Sequence, residues 1–357
     1  MPMNVDKTAI IFVSSDPIFD QRAQKVKESL SKMGYSVQIC GIERHKEAFE
    51  TEDLRWKMSI KSGPLFYLFL GLKILLHLRK NPPTLVWACD PDTLWAAGLM
   101  KRWKSFFLVY DSHEWFTEVP ELEGKGLKKW IWNLLENRGA RNSDVCLTVS
   151  NPIAEQLSQK TGREFQVLMN MPNLTSFEPQ KEKECIIIYQ GAINQGRRVR
   201  ELIAAIEYAP EWEVWIAGKG DEEESIKSWS KTLHFQHRIK WLGMLSKSEL
   251  AKATKQAKVG YNGLDWQQSK SYEFSLANKF FDYVSLGIPV ITAPTPTYRN
   301  MMESYNVGWL EEESIASILG RIEKEPMKYK NRVDACHFAK NIWTWEEQWK
   351  SIQTWIP

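Results

Sequence analysis

The sequence predicts an α/β protein built from two doubly wound domains, and three observations carry that prediction. Short continuous apolar runs recur along the chain and alternate with stretches of helical spacing, as buried parallel strands joined by crossover helices do. The alternation begins again at Cys185, after a polar, charged run at residues 178–184 that reads as a linker. The 357 residues are also enough for two domains of ordinary size, each with its own core.

Composition narrows the class. Hydrophobic residues make up 43% and charged residues 25%, which describes a globular chain rather than a disordered one. A formal net charge of +3 is too small to argue for a nucleic-acid partner, so none is expected. The five cysteines (Cys40, Cys89, Cys146, Cys185, Cys336) are scattered, with no C-x-x-C pair and no histidine at ligand spacing. They read as free thiols in a reducing compartment rather than as a zinc site. The N-terminus passes from a polar leader directly into an apolar strand with no signal peptide, so the expected location is cytoplasmic. Seventeen tryptophans suit cores and domain interfaces, and also sugar faces and membrane interfaces.

Residues 9–13 form the first strand, and residues 21–33 follow with helical spacing at Ala23, Val26, Leu30 and Met33, stopped by Gly34. Residues 36–40 are the second strand. No G-x-G-x-x-G follows the first strand, which counts against a nicotinamide or flavin oxidoreductase. Residues 65–78 are the most hydrophobic window, yet short of the roughly 20 residues a spanning helix needs. Arg55, Lys57, Lys61, Arg79 and Lys80 flank it. Such a helix packs inside the N-terminal domain, lies on an anionic membrane surface, or does both.

Residues 85–90 read as a strand with Asp90 at its carboxyl end, where open α/β sheets bind ligands. A helix starts at Pro91 and runs to Arg102. The strand at residues 106–110 ends in a polar run that holds His113 and Glu114. A lone histidine there is either structural or catalytic. Residues 127–138 are helical, residues 143–150 form a strand, and Asn151 with Pro152 opens another helix. Residues 165–168 are the last strand of this half.

In the second half, residues 185–191 form a strand whose following loop, residues 192–198, carries Arg197, either a phosphate ligand or a solvated helix-start residue. Residues 214–220 and 238–244 are further strands, the first with a glycine turn at Gly218. Residues 271–278 read as a polar loop that leads into a short helix, with Phe280, Phe281, Val284 and Leu286 turned to a core. Gly287 closes this helix and residues 288–292 are a buried strand. The helix start with Lys279 can hold a phosphate, and Asp282, one turn on, can accept hydrogen bonds from sugar hydroxyls. The same residues also fit an ordinary α/β repeat with a surface lysine.

Residues 278–283 with 287–291, and residues 110–114 with 120–122, resemble two signatures of the family-four retaining glycosyltransferases. The resemblance runs from Ile10 to Trp349 and implies the GT-B fold, two Rossmann-like domains facing a cleft. It implies an acceptor-side domain at residues 1–174, joined by a closing helix at about 341–357, and a nucleotide-sugar domain at residues 175–340. The activity it implies is transfer of a sugar from a nucleotide diphosphate sugar to a hydroxyl on a carbohydrate or lipid-linked acceptor, with retention, in cell-surface polysaccharide or glycolipid assembly. That work would place the chain in the cytoplasm or on the inner face of a membrane, held there by residues 65–78.

By the same resemblance, His113 meets the donor sugar, while Arg197, Lys279 and the helix start at Asn278 stabilise the departing diphosphate. Asp282 takes the ribose. The family's other acidic position falls on Phe274, with Glu273 adjacent, and its usual arginine after Gly191 is Ala192 here. Gly191, Gly218 and the turn at Met244 line the nucleotide through their backbone. Arg22, Asp90 and Glu114 lie on the acceptor side, Arg22 being alternatively a solvated first-turn residue. With side-chain cations in place, no divalent metal is expected. The fold also serves nucleotide-sugar epimerases and inverting transferases, for which Asp16, Asp20 or Asp90 would be the base. Phe274 and Ala192 leave a non-catalytic sugar-nucleotide-binding protein as a further reading.

Overall fold

A computed structural model of the chain describes residues 7–44, 51–119, 122–173, 184–268 and 270–357. Residues 178–183 of the expected linker and the Pro120–Glu121 pair lie outside the described residues. The chain forms two compact units. One comprises Met1–Asn170 with Trp349–Pro357, and the other Met171–Gln348.

The first unit holds a seven-stranded sheet of β1 (Thr8–Phe12), β2 (Ser36–Ile42), β3 (Leu54–Trp56), β4 (Leu85–Cys89), β5 (Phe107–Ser112), β6 (Val145–Thr148) and β7 (Phe165–Val167). Its order is β3-β2-β1-β4-β5-β6-β7, and every pairing is parallel. Ile11 lies opposite Ile39 and Trp87, and Trp87 opposite Val109, all four fully buried. A sheet covered on both faces needs apolar side chains in both directions, hence the unbroken apolar runs. The short edge strand β3 has no such run and gave no signal in the sequence.

The helices of this unit are α1 (Gln21–Lys32), α2 (Pro64–Lys80), α3 (Asp90–Met100), α4 (Gly126–Asn142) and α5 (Asn151–Thr161). The Asp20 side chain caps α1 by accepting from the Ala23 amide at 3.0 Å. Right-handed crossovers put α1 on one face of the sheet and α2, α3 and α4 on the other. There α2 and α3 pack so closely that a Cβ at Gly71 would lie 1.8 Å from the Trp95 ring. No helix among the described residues is long and apolar enough to cross a membrane.

The second unit repeats the plan with six parallel strands: β8 (Glu184–Gln190), β9 (Glu213–Ala217), β10 (Ile239–Gly243), β11 (Ala257–Asn262), β12 (Val290–Thr292) and β13 (Gly308–Leu310), in the order β10-β9-β8-β11-β12-β13. Its core gathers Ile187, Tyr189, Trp212, Tyr261 and Ile291. Burying each such side chain contributes about 1.5–3 kcal/mol. Its helices are α6 (Val199–Ala205), α7 (Glu223–Ser230), α8 (Lys247–Gln256), α9 (Lys270–Phe274), α10 (Asn278–Ser285), α11 (Pro296–Tyr305), α12 (Ile315–Lys324) and α13 (Pro326–Ala339), followed by α14 (Trp345–Ile352).

One sequence expectation is corrected here: residues 271–274, expected to open a polar loop, belong to the short helix α9. The aromatic stripe of α14 is buried, and Trp349 stacks on Trp87 with ring centroids 5.8 Å apart. All five cysteines are free.

Candidate functional site

In each sheet the strand order reverses once, between β1 and β4 and between β8 and β11. At such a reversal neighbouring loops part in opposite directions, leaving a crevice at the carboxyl ends of the strands. The residues singled out in the sequence divide between these two crevices, each belonging to its own unit.

In the first unit the centre is Asp111, at the end of β5 and fully buried. Arg22, in the first turn of α1, grips it with two hydrogen bonds, from Nε at 2.8 Å and from the terminal nitrogen at 2.6 Å, and gives a third to the Leu168 carbonyl at 2.8 Å. Trp87 Nε1 donates to the same carboxylate at 3.0 Å. Burial works against the Asp111 charge, but Arg22 and His113 more than offset it and hold the carboxylate far below its ordinary range. Arg22 is therefore buried rather than solvated, its guanidinium donating to Asp111 and Leu168.

His113 follows directly. Its backbone amide donates to Asp90 Oδ1 at 2.8 Å, and its ring lies between two carboxylates, Nδ1 3.4 Å from Asp90 and Nε2 3.4 Å from Asp111. Burial disfavours the imidazolium, yet Asp90 and Asp111 raise its pKa well above the usual value, so the ring is charged at neutral pH. Asp90 stands where β4 becomes α3, with φ of 62°, a conformation in which non-glycine residues are strained. Burial, and repulsion from Glu114, raise its carboxyl to about 6. Asp92, one position past Pro91, is raised to about 7 by burial and by Asp90. Its Oδ1 is buried without a hydrogen-bond partner among the described residues. Glu114 is exposed.

The other candidate bases have structural work. Asp16 is buried in an ion pair with Arg55 at 2.8 Å, and Asp20 caps α1 while accepting from Ser15 at 2.6 Å. Cys89, Asp111 and His113 bring ligand atoms within 4.8 Å of one another. They do not fit a metal ion: Asp111 is committed to Arg22, burial pushes the Cys89 thiol up to about 12, and the imidazole is protonated.

In the second unit the crevice is cationic. Lys279, in the first turn of α10, sets its ammonium 3.9 Å from the centroid of the Tyr189 ring. Burial and the neighbouring Arg197 press its pKa well below the ordinary value. Arg197 lies over the Tyr272 ring at 5.1 Å. Among the described residues neither cation has a carboxylate partner, whereas the adjacent Arg198 is paired with Glu311 at 3.0 Å. Gly191 has φ of 121° and borders Lys279, and Gly218 packs so close that a Cβ there would lie 1.9 Å from the Gly191 carbonyl oxygen. Both strand ends are thereby bare backbone. Asn278 and Met244 are exposed, Met244 just after β10. Glu273 is half-buried and paired with Lys270 at 2.5 Å.

Three residues missed in the sequence hold this crevice in shape. Gln190 donates from Nε2 to Asp282 at 3.1 Å and accepts from Thr254 at 3.0 Å. The buried Tyr283 hydroxyl accepts the Gln190 amide at 3.0 Å and donates to the Ile188 carbonyl at 3.1 Å, fastening α10 to β8. A polar residue closing an apolar strand was the available signal for Gln190. Tyr283 and Thr254 carried none, since a tyrosine in a helix reads as core and a threonine as surface.

Two outcomes test the acidic cluster. Asp111→Asn takes the carboxylate charge away from the buried Arg22 guanidinium, and denaturant titration at neutral pH should show a loss of about 3–5 kcal/mol. Because the folded Asp111 value is depressed, that stabilisation is in force above the ordinary carboxylate range and is lost as the pH falls through it. Asp92 has the opposite sign: its raised value means stability is lost as the pH climbs from the carboxylate range to about 7. Asp92→Asn should therefore raise the melting temperature by a few degrees at pH 8, and by less at pH 5.

Two family models match the chain: Glycosyltransferase Family 4 over residues 22–170 and Glycosyl transferases group 1 over residues 172–334. Among curated proteins the chain is similar to the lipopolysaccharide 1,6-galactosyltransferase of Salmonella typhimurium, 25% identical over 112 residues. That alignment spans 29% of this chain and 31% of the relative. Among solved structures it resembles sucrose-phosphate synthase from Thermosynechococcus elongatus, with a TM-score of 0.75 at 15% identity over 98% of both chains. It also resembles Anabaena HepE in complex with UDP and glucose, with a TM-score of 0.74 at 13% identity over 98% of both chains. With a family match on each unit and this fold across both, the chain belongs to the family-four glycosyltransferases of the GT-B fold.

Proposed function

We propose that the protein transfers a sugar from a nucleotide diphosphate sugar to a hydroxyl acceptor, with retention at the anomeric carbon. The observation that carries this reading is the pair of cations at the β8/β11 reversal, Lys279 and Arg197, which have no carboxylate partner among the described residues, with Lys279 beside the bare backbone of Gly191. A desolvated ammonium is costly unless an anion joins it, and a diphosphate supplies that anion. When the bond to the sugar breaks, negative charge grows on the leaving diphosphate. Lys279, Arg197 and the amides at the start of α10 meet it there.

In this reading Asp282, steadied by Gln190, takes the ribose hydroxyls, and Gly191, Gly218 and Met244 line the nucleotide through backbone groups. Glu273 and Asn278 lie toward the donor sugar. His113, held charged between Asp90 and Asp111, orients that sugar through Nε2, which has no hydrogen-bond partner among the described residues. Arg22 acts at one remove, as the residue that positions Asp111. Asp90 and Glu114 serve the acceptor. The first donors to test are uridine diphosphate sugars, since the HepE structures hold UDP and UDP-glucose. A carbohydrate or lipid-linked acceptor in cell-surface assembly is supported by the lipopolysaccharide galactosyltransferase relative, and a place at the inner face of a membrane by residues 65–78.

A second reading rests on Asp90. Of the three carboxylates considered as a base, it is the one outside an ion pair to arginine or a helix cap, and its value near 6 suits proton uptake from an acceptor hydroxyl. An inverting reaction would then follow, with a rate that rises with pH through about 6. The anomeric configuration of the first product, read by proton NMR, separates the two.

The donor site is tested by thermal shift with UDP, GDP, ADP, TDP and CDP and their common sugars. One nucleotide should raise the melting temperature, and Lys279→Ala should weaken it about tenfold to a hundredfold, the worth of one charge-assisted contact. No shift with any donor, together with no turnover, refutes the transferase reading. His113→Ala should keep the nucleotide shift and lose turnover.

A further inference from the structure

We propose that the first unit docks on an anionic lipid bilayer through two helices, α2 and α4, whose exposed apolar faces form one basic-rimmed platform. This rests on the reading that residues 65–78 face a membrane, and adds α4, which gave no such signal in the sequence.

Half of the exposed large apolar side chains among the described residues lie on these two helices. On α2, Phe66, Leu70, Ile74 and Leu78 are buried, while Leu65, Leu68, Phe69, Leu72 and Leu76 point outward, the last 59% exposed. The outward set follows the three- and four-residue spacing of a single helical stripe. On α4, Leu127 is 72% and Trp130 61% exposed, with Ile131 beside them. Isolated exposed apolar residues need no explanation, but two stripes on one side of a sheet do. Both helices pack against α3 on that side, and they meet where the Tyr67 ring stands edge-on to Trp132 at 5.0 Å.

The charge selects the occupant. Residues 54–89 and residues 124–135 contain no aspartate or glutamate. Lys57, Lys61, Arg79 and Lys80 around α2, and Lys125 and Lys128 around the start of α4, are exposed. A second copy of this chain seated symmetrically would bring like charge against like charge. An anionic bilayer accepts the leucines and the tryptophan below its headgroups and the lysines among them. Each lysine near such a surface strengthens binding by about fivefold.

The test is flotation of the intact protein with vesicles of phosphatidylcholine alone and of phosphatidylcholine with phosphatidylglycerol. The wild-type protein should float with the anionic vesicles, less so in high salt. Leu68→Glu/Leu72→Glu and Trp130→Glu/Ile131→Glu should each weaken binding tenfold or more. Unchanged melting temperatures will show that both variants fold, as is expected for exposed positions. Loss confined to the α2 variant overturns the part of α4 and leaves the reading of residues 65–78 standing. Absence of flotation by the wild-type protein overturns both, and equal binding to neutral vesicles overturns the anionic bilayer as partner. Self-association in sedimentation velocity that the same substitutions abolish, without vesicle binding, assigns the surface to a second copy instead.

Discussion

The constraint on which the rest depends is the handedness of the connection between parallel strands. Each return from one parallel strand to the next must pass over a face of the sheet, and a right-handed crossover fixes which face. A chain that starts in mid-sheet, as β1 and β8 do, winds outward and then returns, so the crossover side changes once. Where it changes, two loops part at the carboxyl edge. Those points are where Asp90 and His113 stand in one unit, and Gly191 and Lys279 in the other. The same rule puts α2, α3 and α4 on one face, which is why two exposed apolar stripes far apart in sequence share a side.

The two crevices are electrostatic opposites. The first is rich in carboxylates, and Arg22 is bound to Asp111. What is left over holds the His113 ring charged, an arrangement that positions a hydrogen-bond donor and fixes its protonation. In the second, Lys279 and Arg197 have no carboxylate partner among the described residues, and Asp282 is held by Gln190 instead. Burial and the neighbouring Arg197 lower the Lys279 pKa, which accords with the proposed diphosphate. Within each crevice the acting side chain is held by a buried partner that does not itself face outward: Asp111 for His113, Gln190 for Asp282.

These supports are also the packing of the units. Trp87 lies at the centre of the first sheet, donates to Asp111 and receives the stacked Trp349 ring. Tyr283 fills space beneath β8 and β11 and carries the hydrogen bonds that fix α10. Orphaning either polar group would cost about 1–3 kcal/mol, so shape and site are maintained by the same residues.

By itself the sequence determined the alternation of strands and helices, the start of α10 with Lys279 and its end at Gly287, and the strand ends that carry Asp90, His113 and Gly191. These are local signals, set by apolar run length, helical spacing and the backbone preferences of glycine and proline. Tertiary structure alone decided the rest. The three-residue strand β3 exists because β2 offers it an edge, not because its residues prefer one. Arg22 reads as a solvated first-turn residue until the fold carries β5 beneath it, 89 positions along the chain, and converts it into the buried partner of Asp111. Gln190 and Asp282, and the stripes of α2 and α4, are likewise joined by distance in space and not in sequence. Pairing of charges, orphaning of polar atoms and exposure of apolar faces are properties of neighbours, and the fold chooses the neighbours.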